Sequence, residues 1–232
     1  MHLERPLGNG VLFRCNRGAG LFTLRASSFD CHMIHRIIYG MLLLPFSLIF
    51  RCVFPFRVRG IENLPRQGGY ILAGNHTGWL DSLIIATACP QPITFIAKKR
   101  FFSWIPLGWI MKITRQIPWE RGGWSDTMTA GVSRLQNGGV VCIFPEGRVT
   151  YDGQLGRFRR GVRDLQKSSE SLVVPFCIHG GFEAWSCSQK YPTRRPIWIE
   201  FGPPNNHVDP KELQDNILQM KRDLEDLDSK RK

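Results

Sequence analysis

No stretch of this 232-residue sequence runs uncharged for the roughly 20 residues that a helix needs to cross the hydrocarbon of a bilayer. A span built without burying a charge is therefore excluded. The cysteines, Cys15, Cys31, Cys52, Cys89, Cys142, Cys177 and Cys187, are odd in number, widely spread and form no C-x-x-C pair. That pattern speaks against a disulfide framework or a zinc ribbon and reads as reduced, mostly buried thiols, as in a domain facing a reducing compartment. No G-x-S-x-G nucleophile elbow occurs, which removes the commonest serine-hydrolase arrangement. His32 and His35 lie near each other without a convincing third ligand, so no metal site is expected. Basic residues fall in no RNP, helix-turn-helix or zinc-finger pattern, and no nucleic-acid partner is expected. Repeats and low-complexity tracts are absent as well.

Acids are scarce relative to bases: 19 Asp and Glu stand against 31 Lys and Arg, a net charge of +12. Such an excess favours an anionic partner, whether a phospholipid surface or a phosphorylated substrate. The bases cluster at Lys98 to Arg100, at Arg157, Arg159, Arg160 and Arg163, and at Lys230 to Lys232. A hydrophobic fraction of 43%, with seven Trp and fifteen Phe, supplies apolar surface for one packed core.

Three segments follow. Residues 1–30 carry Arg5, Arg14, Arg17 and Arg25 among glycines with no sustained period, and read as an arm of uncertain order. Residues 31–56 contain IIYGMLLLPFSLIF from Ile37 to Phe50, fourteen uncharged residues between Arg36 and Arg51. A helix in the membrane interface, or a helical hairpin dipping into one leaflet, is preferred to a full span, because Pro45 interrupts the run and Arg51 would have to snorkel. A buried core helix is the bland alternative. Residues 57–232 alternate short apolar runs with helical stretches, the mark of a single mixed-sheet α/β domain flanked by helices. Strands are expected at Tyr70–Ala73, Ile93–Ala97, Val140–Phe144, Leu172–Ile178 and Ile197–Phe201. Helices are expected at Ser82–Ala88, Trp104–Ile113, Ser125–Gln136, Gly161–Lys167 and Pro210–Leu227, the last amphipathic.

After the first of these strands comes His76, with Asp81 five residues on. On a regular helix the two side chains would stand about 140° apart and could not meet. They pair only if His76 sits in a turn and Asp81 in the following helix, an arrangement that orients an imidazole as a general base. Alone the spacing is weak, since chance produces it often. A second segment, VVCIFPEGRVT from Val140 to Thr150, empties a buried-type strand into a Pro-Gly turn. There Gly147 lets backbone approach a ligand and Arg148 offers a forked donor to phosphate oxygens. The bland alternative is a surface pair of Glu146 with Arg148, worth little.

Together these segments resemble the glycerolipid acyltransferases, the family of 1-acylglycerol-3-phosphate acyltransferases and 2-acylglycerophosphoethanolamine acyltransferases. Asn75, His76 and Asp81 match its NHxxxxD block, and Phe144 to Gly147 match FPEG. RQIPWER agrees with the block between them at Ile117, Pro118 and Arg121; Val173 to Phe176 match the apolar strand with an internal Pro. The departures, Arg115, Glu120 and Val149, leave the acceptor headgroup open.

The resemblance implies acyl transfer from acyl-CoA or acyl carrier protein, with no cofactor, to a lysophospholipid acceptor, most readily 1-acylglycerol 3-phosphate. It implies His76 as base, Asp81 as its orienting carboxylate, and Arg121 and Arg148 as the phosphate clamp. Glu146 would bind the glycerol hydroxyl or position Arg148, and Gly147 would admit substrate. The protein is expected at the membrane, with its catalytic domain facing the cytoplasm. A non-catalytic, basic membrane-surface module and a thioesterase-like hydrolase are the rival functions.

Overall fold

Apolar composition without helix-breaking dipeptides makes α1, Ser28–Val53, the longest element of the computed structural model, which describes residues 28–230, with side chains from Arg36. The arm at 1–27, the His32 and His35 side chains and the terminal Arg231 and Lys232 lie outside the described residues. Of the two expected forms, a helix or a helical hairpin, the helix is the one present: α1 runs unbroken through Pro45. A proline removes one N–H from the ladder but does not by itself reverse the chain, and no turn dipeptide accompanies it. Nor is α1 a core helix. Only 11% of the Arg36–Val53 stretch is buried, and by length and composition it is able to cross a membrane. Tyr39 and Phe50, with Phe54 just beyond, tie it to the domain, whereas Met41, Leu44 and Ile49 are exposed.

The rest of the chain winds around one sheet. After β1 (Phe56–Arg59) and β2 (Tyr70–Gly74) come α2 (Asp81–Ala88), β3 (Ile93–Lys98), α3 (Leu107–Ile113), β4 (Ile117–Trp119), α4 (Trp124–Gln136) and β5 (Val140–Ile143). The chain closes with α5 (Gly161–Ser169), β6 (Leu172–His179), α6 (Gly181–Trp185), β7 (Ile197–Phe201) and α7 (Pro210–Ser229). The seven strands lie in the order β1-β7-β6-β2-β5-β3-β4. β6, β2, β5, β3 and β4 are mutually parallel, β7 is antiparallel to β6, and β1 runs with β7, so the sheet is mixed as expected.

Side chains alternate across the central strand, which is buried on both faces. Tyr70 and Leu72 pack with Phe50, Ile84, Phe176 and Ile199 on one side. Ile71 and Ala73 pack with Leu165, Ile217 and Leu224 of α5 and α7 on the other. Asp209 caps α7 by accepting from the Lys211 and Glu212 N–H groups, with Pro210 at the first helical position. α3 starts three residues later than expected because Ile105 precedes Pro106, and a residue before proline is driven out of the helical region.

Candidate active site

Parallel strands carry their ends to one edge of a sheet, and in open α/β sheets ligands gather outside the carboxyl ends. Here that edge bears Asn75 to Asp81 after β2, Pro145 to Arg148 after β5, Lys98 to Arg100 at β3, Arg121 after β4 and Gly180 to Gly181 after β6.

The turn after β2 is fixed from below. Asn75, buried, donates from Nδ2 to the Ile178 carbonyl at 2.8 Å and accepts the Ile178 N–H at Oδ1 at 2.8 Å, binding the turn to β6. His76 sits in the turn and Asp81 is the first residue of α2, and their side chains meet with Nδ1 2.6 Å from Asp81 Oδ2. Oδ2 also accepts the Thr77 N–H at 2.5 Å and the Gly78 N–H at 3.0 Å, while Oδ1 accepts the Thr77 hydroxyl at 2.6 Å. Asp81 is fully buried, so this donor set does for it what water would otherwise do. Because the carboxylate can only accept, the imidazole donates from Nδ1 and its Nε2 carries the lone pair. The ring, 22% exposed, lies flat on Phe144 with centroids 3.9 Å apart and planes 13° from parallel. Close packing demands the glycines alongside: a Cβ on Gly181 would collide with Thr77 Oγ1, and one on Gly78 with the Trp185 carbonyl.

Glu146 lies elsewhere than expected. Its side chain is buried and does not pair with Arg148: Oε1 accepts the His76 N–H at 2.9 Å and Oε2 accepts the Gly156 N–H at 2.8 Å. Both oxygens therefore tie the His76 turn and the following loop to β5. Burial pushes its carboxyl above the usual carboxylate range, with the His76 and Gly156 N–H groups pulling the other way. Glutamine at this position presents one acceptor and one donor, so one of the two backbone N–H groups faces another donor. Glu146→Gln is accordingly expected to loosen the His76 turn, lowering turnover about tenfold or more and thermal stability by about 1–3 kcal/mol. Activity assays with parallel thermal melts check this.

Gly147 has φ of 71°, the left-handed region that glycine enters without strain. A Cβ there would come 3.3 Å from the Arg159 guanidinium carbon. Arg159 thus overlies the FPEG turn, a neighbour that sequence reasoning placed only in a basic cluster. Arg148 and Arg121 are both exposed. Arg148 follows the turn directly. Arg121 lies beyond β4, three strands from β2, or about 14 Å along the edge at the usual strand spacing. Among the described residues no hydrogen bond or ion pair joins either arginine to His76, Asp81 or Glu146. His76, Asp81 and Glu146 are brought together; the two arginines share only the edge. At β3 and β4 lies an open cleft of ≈ 710 Å³ lined by Lys98, Lys99, Arg100, Lys112 and Trp119 among others, with Lys99 donating to Glu120 at 2.9 Å.

Phe144 and Thr77 were given no role from sequence. The signal for Phe144 was its place in the FPEG match directly after β5; that for Thr77 was its position in the turn between His76 and Asp81.

Comparison with known proteins adds to this geometry. The family described as Acyltransferase matches residues 55–179, more than half of the chain. The chain is similar to the chloroplastic 1-acyl-sn-glycerol-3-phosphate acyltransferase LPAT1 of Arabidopsis thaliana, 28% identical over 135 residues, 55% of this chain and 38% of that protein. It is also 28% identical to the 1-acyl-sn-glycerol-3-phosphate acyltransferase of Bacillus subtilis over 127 residues, 53% of this chain and 62% of that one. The match thus spans less than two thirds of the length of either relative. In fold it resembles the crystal structure of the 1-acyl-sn-glycerophosphate acyltransferase PlsC from Thermotoga maritima, with a TM-score of 0.65, 21% identity and coverage of 86% of this chain and 92% of that one.

Proposed function

Since the chain belongs to the acyltransferase family, we propose that it moves a fatty acyl group from a thioester, acyl-CoA or acyl carrier protein, to the free hydroxyl of 1-acylglycerol 3-phosphate. The observation that carries this is the His76–Asp81 pair at the carboxyl edge of the parallel strands, with Nε2 as the accepting nitrogen of a partly exposed ring.

His76 Nε2 takes the proton of the acceptor hydroxyl as its oxygen attacks the thioester carbonyl, because an alcohol is a poor nucleophile at neutral pH. Asp81 stabilises the imidazolium that forms. The tetrahedral intermediate collapses, the C–S bond breaks, and the imidazolium returns its proton to the leaving thiolate. Transfer is direct, through a ternary complex. A cysteinyl acyl-enzyme has little support: burial raises the thiols of Cys89, Cys142 and Cys177, and Cys187 is raised as well, whereas a nucleophilic cysteine needs a lowered one.

Arg148, directly after the FPEG turn, binds the acceptor's phosphate and holds its hydroxyl near His76. Arg121, farther along the edge, takes a supporting part. Losing a charge-assisted hydrogen bond costs about 1.5–3 kcal/mol, so Arg148→Ala is expected to raise the acceptor KM about 10- to 100-fold with a smaller change in kcat. Arg121→Ala should do less. An unchanged acceptor KM and kcat in Arg148→Ala removes the clamp. The exposed apolar α1 holds the domain at the membrane, with the site facing the cytoplasm.

The test is an acceptor screen with the purified chain in detergent, offering labelled acyl-CoA and acyl carrier protein in parallel. Phosphatidate formed from 1-acylglycerol 3-phosphate supports the proposal; consumption of thioester by water alone contradicts it.

A further inference from the structure

Between β3 and β4 the chain leaves the sheet and presents six large apolar side chains to solvent: Trp104 (59% exposed), Ile105 (82%), Leu107 (40%), Trp109 (66%), Ile110 (37%) and Ile113 (48%). Their outward aim is built in. The one buried residue of α3 is Gly108, which packs its bare Cα against the Phe102 carbonyl; a Cβ there would collide with that oxygen. With its small face inward, α3 has no large side chain to bury and sends Trp109, Ile110 and Ile113 out together. A continuous apolar patch of this kind on a folded domain marks an interaction face.

Charge identifies the partner. Lys98, Lys99, Arg100 and Lys112 line the ≈ 710 Å³ cleft beside the patch, and the acid among the lining residues, Glu120, is already paired with Lys99. Large apolar and indole side chains at a tip, with cations behind them, match the boundary of a bilayer whose headgroups are anionic. A second copy of this chain is a poor occupant, because copies carrying a net charge of +12 repel.

We propose that the segment from Lys98 to Ile113 is a second membrane-contact face, separate from α1, whose Trp104, Ile105 and Trp109 enter the headgroup boundary of an anionic leaflet while Lys98, Arg100 and Lys112 hold lipid phosphates. β3 ends on the edge that carries His76, so this face brings the mouth of the site against the leaflet in which an amphipathic acceptor resides. The proposal rests on the acyl-transfer reading for its purpose, not for its existence.

The test uses the full chain reconstituted in vesicles, with Cys52→Ser to reduce background and an environment-sensitive fluorophore on Ile105→Cys; Leu172→Cys, exposed at the amino end of β6 on the opposite edge of the sheet, is the control. In vesicles containing phosphatidylglycerol, the Ile105→Cys label is expected to lose quenching by aqueous iodide and gain quenching by spin-labelled acyl chains, while the Leu172→Cys label shows neither. Equal iodide quenching at both sites overturns the proposal. So does shielding that appears without lipid and grows with protein concentration, which means a second copy. Equal insertion into pure phosphatidylcholine overturns the role of the cations.

An activity arm follows. Combining Ile105→Asp with Trp109→Ser is expected to abolish most turnover of acceptor embedded in vesicles while sparing that of a short-chain, monomeric acceptor. Equal loss on both, or on neither, contradicts the docking role. If the unaltered chain acylates neither acceptor, the acyl-transfer reading fails while the label still decides the membrane face.

Discussion

Replacing His76 by alanine is expected to lower acyl transfer by about 10²- to 10⁴-fold, the range that a positioned general base contributes, and to leave the protein folded. The fold should survive because Asp81 keeps its other partners when the ring is removed. The Thr77 and Gly78 N–H groups still reach Oδ2 and the Thr77 hydroxyl still reaches Oδ1, so no buried charge is stranded. What is lost is the stack on Phe144 and the accepting Nε2. Turnover assays with circular dichroism check both halves. Full turnover in a folded variant means that the proton is taken elsewhere.

Asp81 distinguishes orientation from charge. In Asp81→Asn the amide oxygen can accept from the His76 ring and the Thr77 and Gly78 N–H groups, while the amide nitrogen can donate to the Thr77 hydroxyl oxygen. The turn should therefore persist. The imidazolium of the transition state loses its carboxylate, however. At about 4 Å and an effective dielectric near 20 that attraction is worth about 4 kcal/mol, so turnover is expected to drop on the order of 10³-fold with little change in acceptor KM. Asp81→Ala is different in kind. It strands four donors around a fully buried position, each costing about 1–3 kcal/mol. It should lower thermal stability as well as activity. If the asparagine and alanine variants melt alike, the proposed hydrogen-bond network is not what holds the turn.

Much of this arrangement was legible in the chain. The five long strands lie within two residues of the apolar runs that announce them; β2, β5 and most of β6 are buried on both faces, where a strand has little choice but to be continuously hydrophobic. The separation of His76 from Asp81 forces a turn-then-helix geometry, and that is where the two residues lie. Short elements escaped: β4 has three residues with Pro118 among them, and β1 alternates apolar with arginine over four. Neither run is long enough to carry a period. Partners distant in sequence escaped too. That Glu146 faces the His76 N–H instead of Arg148 depends on β5 lying beside β2, a matter of strand order. The same order separates Arg121 from His76, although the resemblance assigns both to one site. For α1, composition promised a membrane-associated helix and left a reversal near Pro45 open as the alternative; a single proline does not impose one, and the helix runs through it.

The most direct test of the proposed chemistry is the stoichiometry of the reaction in the unaltered protein. Thiol released from acyl-CoA is measured against phosphatidate formed, with and without 1-acylglycerol 3-phosphate. One phosphatidate for each thiol, with thiol release falling to background when the acceptor is withheld, is the predicted result. Steady thiol release in water alone would mean that the imidazole held by Asp81 serves a hydrolase.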